Sequence, residues 1–439
     1  MDKFFQLSQK GSNVRTEIIA GLTTFLTMSY IIFVNPEMLG KTGMDTGAVL
    51  VATCIASAIG SLLIGLLANY PFAQAPGMGL NAFFVYTVVM GLGYSWQQGL
   101  AIVFLSGLIF ILLTVTGLRK SIIDAIPANL KFAIAPGIGL FIALIGLKNA
   151  GIVNMEGPVL DLGDVSSAPV LLGIIGFVIL TAFMVMKVRF AMLWAILGTT
   201  LLGIPMGVTQ LPDSYSFSEI SLSETAFQLD LAGLFTPPEG QSSAGMILTA
   251  VLVILSFTLV DLFDTFGTLI GTAAKGDLLD ENGNLPRMEK ALLADASATL
   301  IGSLLGTSTV TTYIESGSGI VAGGRTGLTA VSAAVFFLLA IFLAPVAGIV
   351  PAAATSPVLI MVGLLMLESI QKIDLADLES SVPALLLIIF MPFTYSIANG
   401  IAIGMMFFVL VNVFKGKARE EHPILYILVL LFVLQYVMI

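Results

Sequence analysis

Apolar stretches, each long enough or nearly long enough to cross about 30 Å of hydrocarbon, recur along the whole chain and dominate what it can fold into. They run over 18–34, 49–68, 100–118, 132–147, 170–186 and 190–208, and again over 246–270, 291–305, 328–350, 358–367, 385–397, 401–414 and 424–439. With 57% of 439 residues hydrophobic, 10% charged and a mean hydropathy of +1.03, a soluble or disordered chain is excluded. The sequence reads as an all-α polytopic membrane protein. Two shorter segments, near Asn81 and near Glu315, bring the crossings to about fourteen or fifteen.

Charge is distributed by side. Lys3, Lys10 and Arg15, then Arg119 with Lys120, Lys187 with Arg189, Lys275 with Arg287 and Lys290, Lys372, and Lys415 with Lys417 and Arg419 fall in alternate loops. The opposite loops, 149–168 and 209–243, carry Glu156, Asp161, Asp164, Asp213, Glu219, Glu224, Asp230 and Glu239 without a Lys or Arg. By the positive-inside rule the N-terminus is then cytoplasmic and the acidic loops external, provided that the segments around Asn81 and Glu315 each count as a crossing. The polar amino end lacks a signal-peptide cleavage pattern, so direct insertion into a cytoplasmic membrane is expected. One Cys (Cys54) and one His (His422) cannot build a disulfide framework, a Cys/His zinc site or a histidine triad. No metal or cofactor is expected.

The halves echo one another. Residues 56–63 (ASAIGSLL) return as 296–305 (ASATLIGSLL), and each copy leads into a tract that cannot form a continuous helix. Pro71, Pro76, Gly77 and Gly79 interrupt the first, 70–81; β-branched residues followed by Gly317 and Gly319 make an extended piece turning into a half-helix in the second, 306–320. Irregular backbone survives at membrane depth only where protein or a polar cavity satisfies it, so paired breaks of opposite polarity point to a central cavity.

Asp264 and Glu315 stand in apolar, Gly- and Thr-rich stretches that hold no Lys, Arg or His. A carboxylate at bilayer depth costs roughly 2.5–3.5 kcal/mol even on insertion scales, so it faces a cavity and handles a proton, an ion or a polar solute. Asp264, Gly267, Thr268 and Gly271 share one helical face, with Asp261 three residues earlier. Glu315 follows Thr311, Thr312 and Tyr313, while the first tract supplies Gln74 and Asn81, with Phe83 just beyond. A neutral, donor-rich planar heterocycle suits this inventory: Glu315 accepts from ring N–H groups, the amides of Gln74 and Asn81 read edges, and Phe266 or Phe83 stacks.

Four ordered tracts, 15–31 (RTEIIAGLTTFLTMSYI), 75–84 (APGMGLNAFF), 261–268 (DLFDTFGT) and 311–319 (TTYIESGSG) leading to 325–329 (RTGLT), carry a resemblance over nearly the whole chain. The chain resembles the nucleobase/ascorbate transporter superfamily, and within it the azaguanine-type permeases for adenine, guanine and hypoxanthine. That resemblance implies fourteen segments in two inverted seven-segment repeats, a core and a gate domain, and short strands in broken segments 3 and 10. Its expected layout is a tail (1–14), a first repeat (15–208), an acidic external loop (209–243), a second repeat (244–414) and a basic linker with an apolar end (415–439). The core is expected at about 15–118 and 244–347 and the gate at about 121–208 and 351–414. It implies substrate contacts from Glu315, Asp264 and Asn81, proton coupling through Asp264 and Glu315, and import of purine nucleobases by proton symport. Thr268 stands where the uracil-type branch has a histidine, so a scheme needing that imidazole is ruled out. Asn399 is a gate-side candidate. The expected partners are a purine, protons (with Na+ left open) and the bilayer, with no nucleic acid; a homodimer is left open. Two alternatives stand beside this: a transporter of the same fold for another solute or an anion, and an intramembrane aspartate-dependent enzyme.

Overall fold

Two three-residue strands, each set inside an otherwise helical segment, tie the halves of the chain together. The computed structural model describes residues 2–118, 122, 125–154, 160–211, 221–235, 243–281, 284–344, 348–417 and 421–438. Arg119, Lys120, Glu156, Asp213, Glu219, Glu239 and Arg419 of the charge pattern lie outside them.

After a short α1 (Asp2–Phe5), the first half comprises α2 (Val14–Met28), α3 (Ile31–Gly40), α4 (Thr46–Leu67), β1 (Gln74–Pro76), α5 (Met78–Ala82) running into a π-helix (Phe83–Gly91), α6 (Trp96–Thr116), α7 (Ala128–Asn149), a β2 (Val153–Asn154) and β3 (Asp161–Leu162) hairpin, α8 (Ala168–Val185) and α9 (Ala191–Gly203). The second half comprises α10 (Ser243–Ala274), α11 (Met288–Leu305), β4 (Val310–Thr312), α12 (Ser316–Val321), α13 (Gly327–Ala340), α14 (Ala352–Met366), α15 (Leu378–Phe393), α16 (Ile397–Phe414) and α17 (Pro423–Met438). With α2–α3 as one segment and each strand joined to the helix after it, the described residues make seven crossings before the acidic loop and seven after it, with α17 beyond.

Helix ends follow local chemistry. Asn13 and Asp45 accept the first free amides of α2 and α4, Ser95 and Gln98 form a reciprocal capping box on α6, and α6 ends at Gly117 with φ 73°. Helices α2, α4 and α6 pack on α11 and α13, whereas α7, α8 and α9 pack with α14, α15 and α16. Large apolar side chains remain exposed on the outside, among them Val115, Val178 and Phe414, as expected where the solvent is lipid. The chain is a multi-pass membrane protein.

The echoed sequence has a packing reason. Gly60 of α4 lies against β1: a Cβ there would stand 2.8 Å from Gln74 Oε1 and 3.0 Å from Ala298 Cβ. Gly302 of α11 lies against β4, its Cβ position 2.6 Å from Val310 Cγ2. The repeat thus provides two seats on which strands rest directly on helices.

The first segment departs from the expected continuous run over 18–34: it breaks at Ser29 and Tyr30, between α2 and α3. Lys41 and Lys148 also lie at the acidic-loop end. Neither is loose, since Lys41 pairs with Glu37 at 3.0 Å and the Lys148 ammonium stands 5.2 Å from the Tyr395 ring centre.

Candidate functional site

Strands β1 and β4 pair antiparallel, Gln74 opposite Thr312, Ala75 opposite Thr311 and Pro76 opposite Val310. The pairing continues as Gly77 N donates to Thr309 O at 2.9 Å and Tyr313 N to Ala73 O at 3.1 Å, satisfying backbone that lipid would strand. Asp295 of α11 fastens this ribbon. Its Oδ1 accepts from Gln74 Nε2 (2.9 Å), Thr312 N (2.9 Å) and Thr312 Oγ1 (3.0 Å), and its Oδ2 from Thr265 Oγ1 (2.8 Å). Four donors on one fully buried carboxyl group make it a structural hub. Asp261, also fully buried, receives among the described residues only a 3.4 Å contact from Thr299 Oγ1 on Oδ2, and its Oδ1 has no partner among them.

Glu315 stands where β4 gives way to α12. Tyr30, at the break in the first segment, donates its hydroxyl to Glu315 Oε1 at 2.7 Å, and Thr27 Oγ1 lies 3.0 Å from Ser318 Oγ. Asp264 forms no hydrogen bond among the described residues and is half-buried, close enough to Glu315 for their charges to interact. On its face of α10, a side chain added at Gly267 or Gly271 would meet nothing within 4 Å. Open space therefore borders the face that carries Asp264.

A cavity of about 690 Å³ adjoins Glu315, lined also by Thr23, Thr27, Ser318, Lys275, Arg189 and Phe190. That size lies within the roughly 300–1,000 Å³ typical of small-molecule sites. Lys275 and Arg189 place the cavity at the basic-loop end. The membrane tracts of Asp264 and Glu315 hold no cation, but the loops bring Lys275 and Arg189 to the cavity wall.

The other expected residues are placed differently from this pair. Gln74 and Asn81 are fully buried and face the scaffold: Gln74 holds Asp295, and Asn81 Nδ2 donates to Asn35 Oδ1 at 2.7 Å, Asn35 in turn donating to Thr53 and Thr307. Phe83 is fully buried against Phe257, ring centres 4.6 Å apart, so it is packed instead of free to stack. Phe266 follows Asp264 by two residues, which puts it about 200° round the helix from that carboxyl group. Thr268 stays on the Asp264 face and is half-buried, and its carbonyl accepts from Thr272 Oγ1. Asn399 Oδ1 accepts from Tyr436 of α17 at 2.8 Å. Tyr30 and Asp295 escaped sequence reasoning: a Tyr in an apolar run and an Asp beside a charged loop carry weak signals.

At the end away from the cavity, polar contacts join the two packing groups. Thr355 Oγ1 donates to Glu37 Oε2 (3.2 Å), Tyr86 and Asn149 exchange contacts at 3.3–3.4 Å, and Thr87 Oγ1 donates to Tyr395 O (3.2 Å). The rings of Tyr86 and Phe141 meet Tyr395 edge-on.

Comparison with known proteins agrees with this architecture. A family model described as "Permease family" (Xan_ur_permease) matches residues 15–403. The adenine permease AdeP of Escherichia coli (strain K12) is 45% identical over 441 residues, covering 100% of this chain and 96% of its own. The guanine/hypoxanthine permease PbuG of Bacillus subtilis (strain 168) is 45% identical over 449 residues, covering 100% and 99%. Among solved structures, the transmembrane domain of the cyanobacterial bicarbonate transporter BicA superposes with TM-score 0.62 at 14% identity, over 89% of this chain and 97% of that one. At that identity the likeness concerns the fold alone, the inverted arrangement of seven plus seven segments.

Proposed function

The chain belongs to this permease family and is a transporter, not an enzyme, and on that premise we propose that it imports purine nucleobases (hypoxanthine, guanine, adenine) by proton symport with alternating access. The observation that carries the reading is Glu315, anchored by Tyr30 at the wall of the cavity with the unbonded Asp264 beside it. Purine bases present ring N–H donors, joined in adenine and guanine by an exocyclic amine, and a fixed carboxylate is the acceptor that suits them. Asp264 carries the coupled proton. A neutral base with one proton moving through about 100 mV gains roughly 2.3 kcal/mol, enough for about fortyfold accumulation.

In this reading the helices over 15–118 and 244–347 are the core, and those over 121–208 and 351–414 the gate. The basic-loop end is cytoplasmic by the positive-inside rule, so the cavity faces inward while the Glu37–Thr355 and Tyr86–Asn149 contacts close the outside. Opening outward requires those contacts to break and the Arg189–Phe190 loop to approach α12.

The test is uptake of radiolabelled hypoxanthine into proteoliposomes, with adenine, guanine, xanthine and uracil as competitors. Competition by purines but not uracil is expected. Uptake indifferent to every purine would sink the substrate assignment, and uptake unchanged after collapse of the proton gradient would sink the coupling. Glu315→Gln is expected to weaken binding more than Asn399→Ala.

A further inference from the structure

A second cavity, of about 420 Å³, opens at the basic-loop end and shares no lining residue with the one beside Glu315, although Gly276 of its wall directly follows Lys275 of the other. Lys10, Tyr70, Asp277, Arg287 and Arg325 line it. They come from the amino-terminal segment, the link from α4 to β1, the two ends of the α10–α11 connection and the turn after α12. We propose that this cavity is a binding site for a phosphate-type anion.

The cations are held in place without being neutralised. Lys10 Nζ and Arg287 Cζ stand 5.6 and 5.9 Å from the centre of the nearly buried Tyr70 ring, whose hydroxyl donates to Pro286 O. Lys10 Nζ otherwise reaches only the carbonyl oxygens of Asn69 (3.3 Å) and Arg325 (3.5 Å). Arg325 Nη1 donates to Ile320 O (2.6 Å) and Gly324 O (2.8 Å), which fixes its guanidinium plane at the end of α12. Among the described residues no carboxylate lies within ion-pair distance of any of the three.

The nearby acids are otherwise engaged or too few. Glu17 is fully buried and accepts from Arg325 N, Thr326 N, Thr329 N and Thr329 Oγ1, so its oxygens are committed to that turn. Asp277 is exposed, and the Glu17 charge acts on Lys10, so three cations stand against two carboxylates at this recess. Burial first, and then repulsion from Arg287, lowers the pKa of Lys10, while the charge of Glu17 opposes the shift. Lysines and arginines placed merely by the positive-inside rule extend into water; here they converge on one ring and one recess. The remaining positive charge, with two guanidinium groups as donors, suits a phosphate oxyanion, free or in a phospholipid headgroup.

The test uses the purified full chain in nanodiscs of phosphatidylcholine, melted in sodium phosphate and in sodium chloride of equal ionic strength. A soluble phosphate ligand raises the wild-type midpoint by several degrees in phosphate only, and Arg287→Gln and Lys10→Gln abolish the shift. A headgroup ligand raises it in discs doped with phosphatidylglycerol, with no gain from added phosphate and the same dependence on Arg287. Arg287→Lys, which keeps the charge and loses the fork, is expected to retain part of the shift. Should the glutamine variants not fold, titration calorimetry of the wild type with inorganic phosphate and with phosphatidylglycerol micelles decides: no binding of either overturns the proposal. Equal responses of wild type and Arg287→Gln to both also overturn it.

Discussion

Asp295 and Asp264 lie on adjacent helices in the same half of the molecule, yet one carboxyl group collects four hydrogen bonds and the other forms none among the described residues. The difference separates two uses of an acid in a membrane. Asp295 is fully buried and points at the β1–β4 ribbon, where every donor it holds belongs to the scaffold. Asp264 borders open space and shares its electrostatic surroundings with Glu315, whose one side-chain bond among the described residues, from Tyr30, orients it without closing it off. Burial alone does not identify a working carboxylate. In the proposed reading the working pair combines few committed donors with open space or a cavity beside it.

The contrast breaks most visibly at Asp295. Asp295→Ala leaves the Thr312 amide without its acceptor and takes one partner each from Gln74, Thr312 Oγ1 and Thr265, so at about 1–3 kcal/mol for a stranded buried donor a few kcal/mol of stability are lost; thermal melting in detergent and the amount recovered from membranes report this. Next comes Glu315→Gln, expected to cut purine uptake by roughly 10- to 150-fold, as for a lost charge-assisted hydrogen bond of about 1.5–3 kcal/mol, with a melting midpoint near wild type. If Glu315→Gln melted as early as Asp295→Ala, the distinction between the two acids would fail. Asp264→Asn is expected to leave binding within about tenfold while accumulation falls from roughly fortyfold towards equilibrium, read as the steady-state ratio across energised vesicles. The smallest effect belongs to Gly271→Leu, which fills open space. A several-fold loss of uptake with stability within about 0.5 kcal/mol, measured on the same preparation, would show that this face is reserved for solute.

How much of this was legible depended on contrast with the surroundings. Glu315, Asp264 and the broken tracts stood out because a charge, a proline or a glycine pair is conspicuous in an apolar row. Asp295 did not, because it follows Lys290 closely and reads as the end of a loop; only the pairing of β1 with β4 reveals what it holds. Gln74, Asn81 and Phe83 are conspicuous by residue type, but which way each faces depends on tertiary packing, and all three turn towards the scaffold. Tyr30 belongs to an aromatic class that apolar spans use freely, so only its bond to Glu315 sets it apart. The loop cations at the cavity wall were counted for orientation, and their reach towards Glu315 follows from the folded loops.

The ribbon between β1 and β4 has a consequence for biogenesis. Gln74 and its partner Thr312 are 238 positions apart in sequence, so the first strand enters the bilayer long before the ribosome supplies the second. Until then its edge has no mate, and loop closure over that length is slow. The amino-terminal half expressed by itself is therefore expected to be a substrate for membrane quality control, and co-expression with the separate carboxy-terminal half to rescue it.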